Sequence, residues 1–360
     1  MRRFFRIVIL LLDAGLLILF LVGYLARYGH PSYAWWAELI AIALPFLSVL
    51  LIGATILVAL ARRWKLLAVH LVLIVLAALR FVSFESGVEP AQGDLTLMTF
   101  NTSRGGGARA EDLGRAITAL VRAEAPDLAA FQESYIQYHP TTPTVRPEPV
   151  LATLVDSLGY RTIGPDGGQH ATYTPQPVLG RVELIEQTQA VRLLELNGTN
   201  RTTSRVVRTH FRWQGREAVH YNLHLHSFGS DKPWQDETYD PFSPGFWMSY
   251  LRQYRTAYFL RAKEIDQVRA MLEAEHLPLI VSGDFNSTPH NSAFYSLADG
   301  FQDAYGIAGR GWGATYHVDW PVARIDHVLV GPEWKVVSAH VAASTVSDHL
   351  PLVVRLRWRE

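Results

Sequence analysis

The chain has 360 residues, 49% of them hydrophobic and none of them cysteine, and its 33 basic and 33 acidic residues balance to a net charge of zero. That is chain enough for a large buried core, and it excludes disulfide staples and thiolate chemistry. The charge is unevenly placed: residues 1–85 hold eight basic side chains (Arg2, Arg3, Arg6, Arg27, Arg62, Arg63, Lys65, Arg80) and three acids (Asp13, Glu38, Glu85), and subtraction from 33 and 33 leaves 25 and 30, a formal charge of −5 beyond them. Nucleic-acid affinity rests on neutralising phosphates with Lys and Arg, so this balance argues against a polyanion grip.

Three apolar runs open the chain: Ile7 to Leu25, about Trp36 to Ala61, and Leu66 to Val82, the last of marginal length. Each is near the roughly 20 residues that cross a hydrocarbon core of about 30 Å. A cleaved leader has one short apolar region and a small-residue cleavage site, whereas three successive runs with no polar face read as a membrane anchor over residues 1–85. Arg2, Arg3 and Arg6 precede the first run, and Arg62, Arg63 and Lys65 separate the second from the third. The positive-inside rule sets both groups in the cytoplasm, so three crossings put the rest of the chain on the extracytoplasmic side of the cell membrane, and two would invert it. Tyr33, Trp35, Trp36 and Trp64 stand where interfacial aromatics belong. Asp13 lies inside the first run, where a carboxylate marks either function or a contact between helices.

From about residue 90 to 360 the pattern is that of one soluble domain. Strand-like runs are "LTLMTFN" (95–101), "LAAFQES" (128–134), "AVRLLEL" (190–196), "RVVRTHFRW" (205–213), "AVHYNLHLHS" (218–227), "LPLIVSGD" (277–284), "RIDHVLVG" (324–331) and "LPLVVRLRW" (350–358). Helical spacing covers "EDLGRAITALVRAEAPD" (111–127) and "RTAYFLRAKEIDQVRAMLEAEH" (255–276). Many strands with few helices predict two packed β-sheets with helices outside. The proline-rich stretch 137–149 and the aromatic stretch 230–250, with Trp234, Phe242, Phe246, Trp247 and Tyr250, read as loops, the second as a substrate lid, a membrane-interface contact or a loop packed on its own domain.

Polar residues gather where the strands stop. "LTLMTFN" ends at Asn101, "LAAFQES" passes through Gln132 and Glu133, "LPLIVSGDFN" ends at Asp284 and Asn286, "RIDHVLVG" carries Asp326 near its start, and Asp348 and His349 precede the last strand. Singly these are ordinary turn residues, because Asp and Asn bond their own backbone. Brought to one rim, Asn101, Glu133 and Asp348 offer hard oxygen ligands for Mg²⁺ or Mn²⁺, and the absence of cysteine and of a paired-histidine helix argues against zinc. Gly283 reads as space left for substrate. His226 shares a strand face with His224 and can line the same cleft, while His220, Arg205 and Arg261 read as solvated; Tyr135 and Tyr173 are not placed by the sequence.

Six of these stretches stand in the order found in a known family: "LTLMTFN", "PDLAAFQE", "YNLHLHS", "SGDFNSTP", "RIDHVLV" and "SDHLPLVV". Over about 94–358 the chain resembles the endonuclease/exonuclease/phosphatase superfamily, which includes deoxyribonucleases, inositol-polyphosphate phosphatases and bacterial sphingomyelinases. The resemblance implies an α+β, four-layer α/β/β/α sandwich of two mixed sheets, here behind transmembrane helices. It implies that Asn101 and Glu133 contact the metal with help from Asp348, and that His224 binds the scissile phosphate. By the same match, Asp284 orients or deprotonates the attacking water, Asn286 holds a phosphate oxygen, and Asp326 orients His349, which stabilises the charge on phosphorus. The expected function is a membrane-anchored, divalent-metal-dependent phosphoesterase, with a phospholipid head group as one substrate class. The alternatives are a metal-dependent DNA nuclease, for which "TNRTTSRVVR" (199–208) is the best basic segment, and an inactive membrane-tethered binding domain.

Overall fold

The computed structural model describes residues 1–81, 87–102, 110–134, 151–162, 176–196, 200–228, 240, 242–317, 319 and 322–360. The stretches 137–149 and 230–239, Tyr135 and Tyr173 lie outside these, as does the side chain of Arg205. The chain divides into two compact units, Met1–Phe84 with Thr288–Ser296, and Glu85–Ser287 with Leu297–Glu360.

The first unit is helical. It contains α1 (Arg2–Leu25), α2 (Pro31–Ile42), α3 (Leu44–Leu60) and α4 (Trp64–Phe81), packed around Phe20, Leu44, Leu51, Leu73 and Ala77. Two helices, Arg3–Tyr28 and Trp64–Phe81, are long and apolar enough to cross a membrane, and a third crossing exists if the α2–α3 pair is one span. The sequence predicts one continuous second run; instead the pair bends by 63° between Ile42 and Leu44. Pro45, in the first turn of α3, has no N–H to give and its ring excludes a carbonyl four residues back, which ends α2 there. Asp13 turns out to be a helix-packing contact: its Oδ1 lies 3.2 Å from Nε2 of the buried His70, whose Nδ1 meets Thr55 Oγ1 at 3.1 Å. Within the same unit the buried Glu38 accepts Asn291 Nδ2 at 2.7 Å and the Ser292 N–H at 3.1 Å.

The second unit is built on two mixed sheets. Its elements are β1 (Leu95–Asn101), α5 (Ala110–Glu124), β2 (Leu128–Gln132), α6 (Ala152–Leu158), β3 (Val178–Gly180), β4 (Glu183–Leu196), β5 (Asn200–Trp213), β6 (Arg216–His224), α7 (Pro244–Glu273), β7 (Leu279–Asp284), α8 (Ser292–Leu297), β8 (Gln302–Asp303), α9 (Ala304–Ala308), β9 (Asp326–Val330), β10 (Trp334–Val341) and β11 (Leu352–Trp358), with α8 straddling the boundary to the first unit. One sheet runs β10-β11-β1-β2-β3 and the other β4-β5-β6-β7-β9-β8. Alternation explains why β1 and β2 read as continuous apolar runs. Leu95, Leu97, Leu128 and Ala130 face the other sheet, where Val207, Phe211, Ile280 and Val328 wait, while Met98, Phe100, Ala129 and Phe131 pack on Ile117 and Val121 of α5. Helix α7 buries Tyr254, Ala257, Leu260, Ile265 and Val268 and packs against β4, completing the four layers.

Two sequence expectations change here. Residues 244–250 of the aromatic stretch are the first turns of α7 rather than loop, because Ser243 caps the helix by accepting the Phe246 N–H and Pro244 supplies a preset φ at its start. Gly283 makes room for backbone, not for substrate. It sits opposite Leu223 in the parallel β6–β7 ladder at φ +137°, and a Cβ there would lie 1.9 Å from the Leu223 carbonyl oxygen. Gly283→Ala is therefore expected to cost about 3 kcal/mol or more, since both backbone conformation and ladder spacing must give way. Thermal and chemical denaturation of the purified protein measure this, and a loss under 1 kcal/mol would contradict it.

Candidate active site

Topology alone brings the polar strand ends together. β1 and β2 are parallel, as are β6 and β7, so Asn101, Glu133, His224 and Asp284 all stand at carboxyl ends; β9 runs antiparallel to β7 and starts at that end. The register is direct: Asn101 pairs with Gln132, and His224, Asp284 and Asp326 stand side by side across three strands. Glu133 at φ +54° and Asn286 at φ +48° turn sharply into left-handed conformation as their strands end.

Asp284 is the hub. Its Oδ2 accepts Asn101 Nδ2 at 2.9 Å and lies 3.7 Å from His224 Nε2 and 3.8 Å from His349 Nε2, while its Oδ1 accepts the Asn286 N–H at 2.8 Å. His224 Nε2 also lies 3.8 Å from Glu133 Oε1, to which Asn101 Nδ2 donates at 3.5 Å. On the far side, His349 Nδ1 meets Asp326 Oδ2 at 2.9 Å. Asn286 spends one amide hydrogen on the Leu225 carbonyl oxygen at 2.9 Å, which leaves the other to give. Exposure grades across the cluster: Asp284 at 2% and Asp326 at 0% are sealed, whereas the Glu133 side chain is 30% and that of His224 24% accessible. Of the eight residues read from the sequence, seven are joined by these hydrogen bonds and ion-pair contacts. Asp348 is the exception: its Oδ1 is buried without a hydrogen-bond partner, and it acts on the cluster through its charge on the neighbouring His349.

Burial by itself would lower the His349 pKa, but the carboxylates of Asp326 and Asp284 outweigh it and push the imidazole up to about 9. His349 is thus held as a cation at neutral pH. His226 goes the other way, down to about 4, because it is half-buried, faces Arg261 and neighbours His224.

The supporting residues were harder to read in advance. Arg261 is fully buried, not solvated: Nε and Nη2 donate to the His226 carbonyl at 2.9 and 2.8 Å, and Nη1 to Ser287 Oγ at 3.1 Å. One turn on, Glu264 accepts the His226 N–H at 2.8 Å. Between them the pair fixes the segment leaving β6, and their place in the buried stripe of α7 was the available signal. His220 is likewise buried, not exposed: it lies between the sheets with Nε2 2.7 Å from Ser282 Oγ, and burial pushes it down to about 3. Gln132 Nε2 donates to Asn222 Oδ1 at 2.7 Å, and Asn222 Nδ2 to the Phe131 carbonyl at 2.9 Å, a buried bridge from one sheet to the other beneath the site. Ser347 Oγ donates to the Asn101 carbonyl at 2.8 Å and accepts the His349 N–H at 3.1 Å, which holds that loop.

An imidazole raised from about 6.5 to about 9 stabilises the fold fully below pH 6.5, and that contribution is lost as pH climbs through 9. Asp326→Asn removes a main cause of the rise. We expect the His349 titration, followed by NMR, to fall by at least one pH unit in this variant; an unchanged midpoint contradicts the assignment.

The family model described as the endonuclease/exonuclease/phosphatase family matches residues 98–349. None of the curated proteins matches the chain by sequence. Among solved structures, an endonuclease/exonuclease/phosphatase family protein from Bacteroides thetaiotaomicron aligns with a TM-score of 0.52 at 18% identity, covering 74% of this chain and 98% of its own. TDP2 from D. rerio, complexed with a single-strand DNA product, aligns at 0.51 and 13% identity, covering 74% and 100%. The human Nocturnin catalytic domain, with bound sulfate, aligns at 0.50 and 18%, covering 77% and 97%. Identities this low establish the fold, and the matched span of the family model adds the lineage: the chain belongs to the endonuclease/exonuclease/phosphatase family.

Proposed function

We propose that residues 90–360 form a divalent-metal-dependent phosphoesterase held to the cell membrane by an anchor over residues 1–85. Family membership supports a hydrolase of phosphoester bonds. The observation that carries the reading is the convergence on Asp284 of Asn101, His224 and His349, with Glu133 alongside and Asp326 behind.

The donor set fits a hard divalent ion. Carboxylates outnumber cations in the cluster, Asp348 Oδ1 and Asp326 Oδ1 are buried without partners, and the ligand atoms of Asp284, Asp326 and His349 all lie within 4.8 Å of one another. The Asp326–His349 bond already occupies the inner part of that group. Glu133, more open and bonded to Asn101, would therefore hold Mg²⁺ or Mn²⁺ together with Asn101, and Asp348 would lend its buried Oδ1. When bound, the ion supplies positive charge to the phosphoryl oxygens and favours the ionised form of water.

The side chains do the rest. Asp284, fixed by four neighbours, accepts the proton of the attacking water and aims it. His224, at the open mouth of the cluster, donates to the scissile phosphate, and the remaining amide hydrogen of Asn286 reaches a second oxygen. His349, kept cationic by Asp326, meets the charge that builds on phosphorus in the transition state, where a preset charge is worth most. In the alternative nucleic-acid segment 199–208, Arg208 is tied to Glu275 at 2.7 Å and to Glu186 at 3.4 Å. With the formal charge of −5 beyond residue 85, this favours a small phosphoester over DNA, with a phospholipid head group among the candidates. With the bent α2–α3 pair counted as one crossing, the basic flanks favour an extracytoplasmic domain by the positive-inside rule.

Asp284→Ala and His349→Ala should each lower kcat about a thousandfold while circular dichroism stays unchanged. Chelation should abolish hydrolysis and Mg²⁺ or Mn²⁺ restore it; turnover in excess chelator would sink the metal assignment. For topology, alkaline phosphatase fused after Glu360 should be active in cells and a fluorescent protein there dark, and the reverse pattern places the domain inside.

A further inference from the structure

The loop that carries Asn286 does not lead straight back to the sheet. β7 ends at Asp284 and β8 begins at Gln302, and most of the stretch between them, Thr288–Ser296, belongs to the helical unit. Its contacts there are specific. Tyr295 packs edge-on against Tyr28 with ring centroids 5.1 Å apart and meets the Arg27 guanidinium at 4.7 Å, while His290 meets Phe81 at 4.9 Å. At the centre is Glu38, a fully buried carboxylate within the apolar helix α2. Its Oε2 accepts Asn291 Nδ2 at 2.7 Å and the Ser292 N–H at 3.1 Å, its Oε1 shares that N–H at 3.1 Å, and its backbone carbonyl accepts Asn291 Nδ2 at 3.0 Å. A carboxylate taken out of water is costly unless it is bonded in this way, and a helix that served only as a tether has no use for one.

Asn291 passes that hold along the chain. Its Oδ1 accepts the Thr288 N–H at 2.9 Å and the Thr288 hydroxyl at 2.6 Å, and its own N–H donates to the Thr288 carbonyl at 3.0 Å. A backbone N–H can only donate, so the amide oxygen of Asn291 must face Thr288 and its NH2 must face Glu38. The polarity of the relay is thereby fixed, with the Glu38 side chain as acceptor. Thr288 stands two residues beyond Asn286, whose φ of +48° is a left-handed conformation that a side-chain-bearing residue keeps only when its surroundings impose it. Upstream, Asp284 Oδ1 accepts the Asn286 N–H at 2.8 Å and the Phe285 N–H donates to the Ile325 carbonyl at 2.9 Å. Downstream, the loop is held at Ser287 by Arg261 and at Thr288 by the Asn291–Glu38 pair.

Resting on the phosphoesterase reading, we propose that Glu38 is a positioning residue for Asn286, acting through Asn291 and Thr288, so that a side chain of the membrane anchor sets the geometry of the catalytic loop. The helical unit is then a part of the enzyme as well as its anchor. Loss of the carboxylate releases the far end of the loop, and the amide hydrogen of Asn286 that reaches the phosphate loses its aim.

Substitutions in the full-length protein, in detergent micelles, test this. Glu38→Gln keeps the volume but sets an NH2 against one of two donors, and Asn291→Asp faces Glu38 with a second carboxylate. The double variant reverses the relay, because the new amide donates to the new carboxylate while its oxygen still accepts the Ser292 N–H. Hydrogen–deuterium exchange at residues 284–287 should rise about tenfold in each single variant and return to within about twofold of the unsubstituted protein in the double variant. With Mg²⁺ and bis(p-nitrophenyl) phosphate, each single variant should lower kcat about tenfold with KM changed less than about twofold, and the double variant should recover it. In an Asn286→Ala background Glu38→Gln should change kcat by less than about twofold, because its route to the substrate is gone, whereas a merely structural role keeps its full effect there. Unchanged exchange at 284–287 in both single variants, unchanged kcat in both, or an undiminished Glu38→Gln effect in the Asn286→Ala background overturns the proposal. Where the single variants do not fold, the double variant decides: it must fold and turn over as the unsubstituted protein does, and loss of either overturns the relay. If the unsubstituted protein cleaves neither this diester nor p-nitrophenyl phosphate, the phosphoesterase reading fails, and the exchange pattern alone decides whether Glu38 holds the loop.

Discussion

The hydrogen bond from Gln132 Nε2 to Asn222 Oδ1 is the constraint on which the site depends. Asn101 and Glu133 come from one sheet, and His224, Asp284 and Asp326 from the other. Apolar packing between sheets is non-directional and tolerates sliding, whereas a buried amide pair that also holds Thr99 Oγ1 and the Phe131 carbonyl fixes one register. A slip would leave those groups buried and unpaired, at about 1–3 kcal/mol each. The network lies just below the cluster, so the 2.9 Å contact of Asn101 with Asp284 across the sheets follows from it.

Within the second sheet the equivalent constraint is backbone contact. Leu223 and Gly283 approach so closely in the β6–β7 ladder that no side chain fits at 283, and this places His224 directly beside Asp284. Asp326 follows on the next strand in the same row. The three carboxylates of Glu133, Asp284 and Asp326 would repel one another if left alone. The structure resolves this by alternating them with histidines: His224 stands between Asp284 and Glu133, and His349 between Asp284 and Asp326. The same arrangement raises the His349 pKa and surrounds the Asp284 side chain with donors.

Helix α7 links that centre to its surroundings. Arg261 and Glu264 grip the backbone at residue 226 from both sides, and Arg261 extends to Ser287 just after Asn286. A charge inside an apolar stripe costs desolvation unless it is fully bonded, and both are. This explains why a residue that looks like a solvated helix arginine is instead interior.

The sequence by itself determined the class of fold, the apolar helices at the start, and the identity of the residues at the rim. Those features are local: apolar periodicity sets strands and helices, and six short motifs in order carry the family. What it could not decide depended on neighbours distant in the chain. Gly283 answers to Leu223, 60 positions away, Arg261 to Ser287, and His220 to Ser282. Burial and partner choice belong to the packed state, in which a polar side chain stays inside only if folding brings it a partner. Tertiary structure alone could supply that partner.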